Sequence, residues 1–274
     1  MSILFLSRHR LCGAWIIAIV AMLASGGTAL AADRGPSAPD TSTVTTSQPP
    51  RRSDPDFLFG RPGTLVGVSG GWLLASQSGG IFDLTRDLLT VDDGAFNTAA
   101  FRFIAGRSIG QRLDLVAEVG VSRAEVGSEY RDFVDTDDLP IVQTTKLTQV
   151  PVAGTLRFWL TPRGRDVGRF AWVPSRVALY TGAGGGGQYY RFRQFGDFVD
   201  FVDLSIFTEA LESSGWTGSG HVLAGASISV TRQLFLSLET RYVWANTPLS
   251  GDFVGFDNIN LNGLQSTVGI ELVF

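Results

Sequence analysis

From Thr64 onward, apolar and polar residues alternate along the chain with a period of two. Successive side chains of a β-strand point to opposite faces, so each such stretch predicts a strand with one apolar and one polar face. In the last stretch, Leu, Ser, Val, Ile, Leu and Phe fall on one face, and Gln, Thr, Gly, Glu and Val on the other. The pattern recurs eight times and predicts strands at about residues 65–74, 98–107, 112–122, 146–160, 177–192, 218–230, 234–244 and 264–274.

The connections between these strands alternate in length. Short turns at 108–111, 162–175 and 231–233 are predicted at one end, and long loops at 75–96, 124–145, 193–215 and 246–260 at the other. This layout, with an even strand number, is typical of a membrane barrel whose termini lie on the short-turn side. The predicted fold class is therefore all-β, an eight-stranded antiparallel up-and-down transmembrane β-barrel. Pro151 has no N–H for the ladder, so a β-bulge is expected there.

Composition supports strands and turns over helices, with 33 Gly and 19 Phe but only 2 Met. A long apolar run occurs only near the N-terminus, so no helical membrane span is expected in the mature chain. The single cysteine, Cys12, excludes a disulfide within the chain. The formal net charge of −4 excludes nucleic-acid binding driven by bulk positive charge.

The N-terminal region predicts export. Arg8 and Arg10 precede an apolar stretch at 14–23, and Ala29-Leu30-Ala31 supplies small residues for cleavage. We therefore assign residues 1–31 to a signal peptide, since the apolar stretch is too short for a membrane anchor. Residues 32–62, rich in Pro, Ser and Thr, are predicted to be a disordered periplasmic leader, and residues 63–274 the barrel.

The polar faces of the predicted strands carry charged residues, which would point into the barrel. They are Arg102, Asp114, Glu118, Arg157, Glu239, Arg241 and Glu271. An eight-stranded barrel is only wide enough for its own side chains, and buried charges need partners. We predict a salt-bridge network that closes the lumen. The alternative is a gated path for protons or ions.

No catalytic residue, metal site or cofactor is predicted. His221 is the only histidine after the signal peptide, and no His-x-Ser arrangement surrounds it, so an inward, hydrogen-bonded role is favoured over a catalytic base. With one His and no Cys in the mature chain, no zinc site is available. The glycines at 184–187 lack a following Gly-Lys-Ser/Thr, which favours close approach within a strand over phosphate binding.

The long loops are acidic. They hold 17 carboxylates against Arg86, Arg131 and Arg193, whereas the short-turn end is mainly basic. The acidic residues are Asp83, Asp87, Asp92, Asp93, Glu125, Glu129, Asp132, Asp135, Asp137, Asp138, Asp197, Asp200, Asp203, Glu209, Glu212, Asp252 and Asp257. An Asp-Phe-Val element begins at Asp132, Asp197, Asp200 and Asp252. Solvated carboxylates on strands that extend past the bilayer are the favoured interpretation, and binding of Ca²⁺ or Mg²⁺, shared with lipopolysaccharide phosphates, is the alternative.

Residues 64–274 resemble the small outer-membrane β-barrel superfamily of Gram-negative bacteria, of the OmpA/OmpX type. The resemblance rests on the signal peptide, the eight amphipathic strands, the charged lumen, Trp72, Tyr242 and Trp244 near strand ends, and the terminal Phe274. It implies location in the outer membrane, insertion by the barrel assembly machinery with Phe274 in the assembly signal, and contact of the three aromatics with the lipid interface. Outer-membrane lipid and lipopolysaccharide are the implied partners.

The predicted function is that of a non-enzymatic outer-membrane barrel with a closed lumen and acidic extracellular loops, acting in envelope integrity or surface recognition. A narrow pore for ions or small solutes is the first alternative, and an enzyme acting on outer-leaflet lipid is the second. A soluble, lipocalin-like ligand barrel would need an apolar inner face and a polar outer face, which is the reverse of the observed pattern.

Overall fold

The computed structural model describes residues 57–135 and 137–274. The predicted signal peptide and most of the predicted leader lie outside the described residues. The strands are β1 (Leu58–Phe59), β2 (Thr64–Ala75), β3 (Thr98–Ser108), β4 (Leu113–Val134), β5 (Pro140–Trp159), β6 (Gly164–Val167), β7 (Ala171–Pro174), β8 (Val177–Val199), β9 (Ile206–Ser229), β10 (Leu234–Thr247), β11 (Ile259–Asn260) and β12 (Gly263–Val273). Helix α1 spans Gly80–Leu88, and a 3-10 turn spans Gly251–Phe253. No helix in the described ranges is both long and apolar enough to cross a membrane.

Eight of the strands close into a ring. Their order is β2, β3, β4, β5, β8, β9, β10 and β12, and β12 pairs back onto β2. Every neighbouring pair is antiparallel, as where Val273 lies opposite Leu65 across the closing ladder. The predicted eight-stranded antiparallel up-and-down barrel is confirmed.

The two faces of the ring follow the alternation of the sequence. Phe101, Phe103 and Leu115 point outward and are 61%, 49% and 52% exposed. Arg102 and Glu118, their neighbours on the same strands, point inward and are each 7% exposed. The barrel therefore has an apolar outer face and a charged interior, which is the opposite of a ligand barrel in water.

Four strands rise beyond the others at the end that carries the long connections, which we call the upper end. Strands β4, β5, β8 and β9 have 22, 20, 23 and 24 residues, against 12 in β2 and 11 in β12. The prediction of long loops at 124–145 and 193–215 is wrong, because these ranges are mostly paired strand. Alternation continues there, but the outward residues become polar, so the apolar signal of a strand is lost. We call residues 123–134, 140–148, 190–199 and 206–216 the wall.

The other two upper connections fold against the inner face of the wall. Helix α1 joins β2 to β3, and the 3-10 turn with β11 joins β10 to β12. Their buried side chains form one apolar cluster with those of the wall, which we call the upper core. It includes Ile81, Phe82, Leu89, Tyr130, Ile141, Leu147, Phe192, Val199, Phe253 and Ile259.

The lower end, where the short turns lie, is also closed by packing. The predicted turn 162–175 contains a hairpin of β6 and β7, and β1 pairs with β7. Trp172 of β7 is buried in a cluster that we call the lower core, formed with Leu65, Ile104, Val116, Phe235 and Val273. Leu58 packs against the same cluster, so the folded chain begins before residue 63, inside the range assigned to the leader.

Pro151 does not produce a bulge, so that prediction is wrong. Val119 lies opposite Val152 and Ser122 opposite Gln149, which is one continuous register across the proline. Gly120 faces the proline ring, and a Cβ there would lie 3.2 Å from the ring's Cγ. Absence of a side chain at Gly120 lets the ring fit without a shift. The register shift between β4 and β5 instead lies near the tip of the wall, between residues 129 and 134.

Candidate functional site

Six charged side chains from five strands meet in the middle of the barrel. They are Arg102 on β3, Glu118 on β4, Arg157 on β5, Glu239 and Arg241 on β10, and Glu271 on β12. All six are buried. Three guanidinium groups and three carboxylates give a formally neutral set, which we call the ionic network. Burial of charges is costly unless each has partners of opposite sign, and here each does.

Glu239 is the central member because it contacts all three arginines. Its Oε1 accepts hydrogen bonds from Arg102 at 2.7 Å and from Arg241 at 2.9 and 3.2 Å. Its Oε2 lies 3.5 Å from the Nη2 of Arg157 and accepts a bond from the Tyr180 hydroxyl at 3.2 Å. One carboxylate therefore connects strands β3, β5, β8 and β10.

The other two carboxylates complete the pairing. Glu118 accepts two bonds from Arg241, one of them at 2.8 Å, and lies 3.4 Å from Arg102. Arg157 donates to both oxygens of Glu271 at 3.1 and 3.2 Å. Such charge-assisted, two-pronged contacts are stronger and more directional than neutral hydrogen bonds, so they fix the strands' inner faces relative to one another.

Asp114, the seventh predicted member, lies apart from this set. It pairs with Arg163 at 3.1 Å and accepts hydrogen bonds from the Trp159 indole at 2.8 Å and the Ser108 hydroxyl at 2.7 Å. Burial lowers the pKa of Arg163, and the Asp114 carboxylate opposes that shift. Arg163 precedes β6 and reaches back to the barrel's lower end. Strand periodicity could not identify it, since it lies in a turn.

His221 is buried on the inner face of β9, as its place in the pattern predicted. Its Nε2 lies 2.8 Å from the Thr155 hydroxyl and 3.7 Å from Glu118. Gly184 makes room for the ring, because a Cβ there would lie 2.7 Å from His221 Nε2 and 2.2 Å from the carbonyl oxygen of Gly154. The glycine run therefore provides close approach within a strand.

These observations decide the architecture: a closed antiparallel ring of eight strands, apolar outside, with paired charges inside and short connections at one end. The chain has the fold of the small outer-membrane β-barrels. Comparison of the sequence with models of known protein families and with curated proteins found no match.

Several solved structures are similar to this barrel. Neisserial surface protein A is 15% identical, with a TM-score of 0.40 over 77% of this chain and 96% of that one. Ail, the attachment invasion locus protein of Yersinia pestis, is 12% identical, with a TM-score of 0.37 over 78% of this chain and 100% of that one. A major outer membrane protein from Thermus thermophilus is 11% identical, with a TM-score of 0.42 over 77% of this chain and 99% of that one. Identities and scores this low carry no information about the activity of this barrel.

The three predicted interface aromatics lie on the outer face of the barrel. Trp72 and Trp244 are exposed, Tyr242 is partly exposed, and the rings of Tyr242 and Trp244 meet edge to face at 4.9 Å. Trp216, whose ring lies 5.6 Å from that of Tyr189, has the same outward position and was not predicted. It lies just before the range predicted for its strand. Contact of these rings with lipid stays a prediction.

Phe274 is exposed at the lower end and is held by backbone bonds. Its N–H donates to the carbonyl oxygen of Thr64 at 2.9 Å, and its carbonyl oxygen accepts bonds from Gly63 and Thr64. Its part in an assembly signal stays a prediction.

The acidic residues of the upper end lie on the outer face of the wall, at the tips of its hairpins, and in the two connections that contain α1 and the 3-10 turn. Several have close partners, as where Glu125 pairs with Lys146 at 3.0 Å and Glu212 with Arg191 at 2.7 Å. At the tip of the β8–β9 hairpin, hydrogen bonds from Ser205 lower the pKa of Asp203. In the ranges that the structure describes, no three His, Cys, Asp or Glu side chains are arranged to hold a metal ion. Binding of Ca²⁺ or Mg²⁺ stays a prediction.

Proposed function

We propose that the chain is an integral outer-membrane protein without enzymatic activity, with a closed lumen and an extracellular upper end, acting in envelope integrity or surface recognition. The observation that carries the proposal is the apolar belt around a barrel whose interior charges are paired. In the outer membrane the lower end would face the periplasm, where short turns are typical.

The belt has a sharp upper boundary. On β4 the outward residues are apolar from Leu115 to Val121, and the next outward residue is Arg123. Arg123 lies opposite Thr148 on β5, which lies opposite Arg191 on β8, so the change to polar residues falls at paired positions on three adjacent strands. Below these three positions, β4 has ten strand residues, β5 has eleven and β8 has fourteen. Each length is sufficient for a tilted strand to cross a bilayer, which takes about 9–11 residues.

Three layers of side chains support a closed lumen. The lower core around Trp172 lies at one end, the ionic network in the middle, and the upper core at the other end. The cavity beside the network, next to Glu118, His221 and Arg241, has a volume of about 40 Å³. That is room for a few water molecules, and it favours a closed lumen over the narrow pore.

The surroundings of His221 support a non-enzymatic role. Its contacts with Thr155 and Glu118 both fall on Nε2. In a nucleophile–base–acid relay the two partners bind opposite ring nitrogens, so that one holds the ring while the other gives up its proton. This arrangement instead resembles a histidine held in place by polar neighbours.

Placing a charge on the belt is expected to impair membrane insertion. Phe103→Arg should lower the free energy of unfolding from lipid vesicles by about 2–4 kcal/mol, because Phe103 lies on the outer face at the middle of β3, where a guanidinium group would face hydrocarbon. The free energy of unfolding is measured by titrating vesicle-inserted protein with urea. The folded fraction is read from gel migration with and without heating. Val202→Arg is the control, since Val202 is 94% exposed at the tip of the β8–β9 hairpin. Equal losses in the two variants would contradict lipid contact at Phe103.

A closed lumen predicts that the protein does not conduct. In planar-bilayer recordings in concentrated KCl, we expect no discrete conductance steps above those of the protein-free bilayer, because the ionic network and both cores fill the interior. A wide porin reconstituted in the same way is the positive control. Reproducible unitary steps that scale with protein concentration would support the narrow pore instead.

A further inference from the structure

A second cavity, of about 200 Å³, lies at the upper end between α1 and the part of the wall formed by β8 and β9. Helix α1 contributes Ile81, Leu84 and Leu88 to its lining, and the wall contributes Val199 and Leu211. An apolar lining with few polar groups is the usual composition of a small-molecule site. This cavity is separate from the ionic network.

The repeated Asp-Phe-Val element builds much of this cavity. Phe198, Phe201 and Phe253, from three of the four copies, line it. Phe133, from the fourth copy, packs edge to face against Phe201 with ring centroids 5.7 Å apart. The element therefore places phenylalanines inside and carboxylates beside them, and Asp252 lines the cavity as well.

Part of the lining is open to water. Leu84, Phe201, Phe207 and Phe256 are exposed, whereas Ile81 at the cavity's inner side is buried. Large apolar side chains left exposed around a concave site mark a place where apolar surface can be covered by a ligand. The free energy gained is on the order of 25 cal/mol for each Å² of apolar surface removed from water.

The polar groups of the lining are already engaged within the protein. The Gln143 amide donates to the Tyr130 hydroxyl at 3.2 Å, and the Gln194 amide donates to Thr85 at 3.3 Å. Few hydrogen-bond donors remain for a polar group of a ligand. The part of a ligand that lies inside the cavity therefore has to be apolar.

The charge of the upper end, with Asp252 in the cavity lining itself, favours some apolar ligands over others. The upper end carries 17 carboxylates against six cationic side chains, counting Arg123, Lys146 and Arg191 with the three loop arginines. A surface of one dominant sign attracts ligands of opposite charge and repels those of like charge. A fatty-acid carboxylate is therefore disfavoured here, and an ammonium group is favoured.

We propose that this cavity binds a small apolar organic cation, an aryl- or alkyl-ammonium ion of about eight carbon atoms. The size follows from the volume, since a cavity of roughly 150 Å³ holds a benzene ring and this one is larger by a short side chain. The ring or chain lies among the phenylalanines, and the ammonium group stays at the acidic opening. This site does not depend on whether the barrel acts in envelope integrity or in surface recognition.

Methyl NMR of isoleucine-labelled protein in micelles tests the proposal. The probes are 2-phenylethylammonium, neutral 2-phenylethanol and anionic 3-phenylpropionate, which share one ring. The Ile81 methyl signal should shift saturably, whereas that of Ile270, exposed on the outer belt, should not. We expect the ammonium ion to bind roughly tenfold more tightly than the carboxylate, a difference that weakens as salt is added.

Two tryptophan variants separate the cavity from non-specific partitioning. Leu84→Trp fills the opening and should weaken binding at least tenfold, whereas Leu238→Trp, on the outer belt, should leave it unchanged. If Leu84→Trp no longer migrates on the gel as a folded barrel, the titration of the wild-type protein tests the site by itself. Absence of a saturable shift at Ile81, or equal shifts at Ile81 and Ile270, would overturn the site. Carboxylate binding as tight as ammonium binding would overturn its charge preference.

Discussion

Replacing Glu239 with glutamine is expected to lower the free energy of unfolding by about 3–5 kcal/mol, the range for removing one partner of a buried ion pair. The effect is large because this one carboxylate contacts Arg102, Arg157 and Arg241. The variant leaves three buried guanidinium groups with two carboxylates. Urea unfolding of the vesicle-inserted barrel, followed by tryptophan fluorescence, measures the loss.

Glu125→Gln is the matched control for that experiment. Glu125 has two cationic partners, Lys146 at 3.0 Å and Arg123 at 3.5 Å, but it lies exposed on the outer face of the wall. Exposed ion pairs contribute roughly 0–1 kcal/mol, so this variant should remain close to the wild type. A loss for Glu239→Gln no greater than that for Glu125→Gln would show that the ionic network does not stabilise the barrel.

Replacing Trp172 with alanine is expected to lower the free energy of unfolding by about 3–5 kcal/mol, the usual range for truncating a buried aromatic. The indole is buried in the lower core, and Gly164 lies so close that a Cβ there would be 2.4 Å from the ring. Its removal leaves a void between the β6–β7 hairpin and the barrel. The same urea titration measures the effect.

Phe170→Ala tests whether the effect of Trp172 comes from burial. Phe170 lies in the turn of the same hairpin and is exposed to solvent. Its truncation should change the free energy of unfolding by no more than about 0.5 kcal/mol. Similar losses in both variants would mean that Trp172 does not pack under the barrel as described.

The sequence predicted the ring because a two-residue period determines which face each side chain occupies. Phe101 and Arg102 illustrate this, since adjacent positions on one strand must point to opposite sides. Inward placement of Glu118, Glu239 and Glu271 follows from the same rule, and so does their proximity once the ring closes. The rule does not predict which carboxylate contacts all three arginines of the ionic network, because that depends on the registers of the strands.

The upper end was mispredicted for a physical reason. In the wall, both faces of a strand carry polar residues, as with Glu125 outside and Ser128 inside, so hydrophobic alternation no longer distinguishes strand from loop. Helix α1 has nine residues and no side-chain hydrogen bond at its N-cap. An isolated helix of that length is not stable in water, so packing against the wall has to stabilise it.

The parts of the interior that sequence reasoning missed come from outside the eight predicted strands. Arg163 and Trp172 enter from a predicted turn, and Ile81 enters from a predicted loop. The Asp-Phe-Val repeat did carry a signal for the upper cavity. The carboxylates of the repeat predict solvation or cation binding, whereas its phenylalanines form the lining of the cavity.

The ladder between β2 and β12 joins the first and last strands of the ring. Neighbours elsewhere in the ring follow one another in the sequence, so they can pair early as local hairpins, whereas this seam requires the ends of the whole domain to meet. Pairing between distant segments is entropically costly and slow, so we expect the β2–β12 ladder to form late and to limit the rate of folding. Gly71 and Gly269 lie along it, and a Cβ at either would come within 3 Å of the opposite backbone. Because the residues on both strands are small here, the two strands can pair and close the barrel without any bulky side chain having to move.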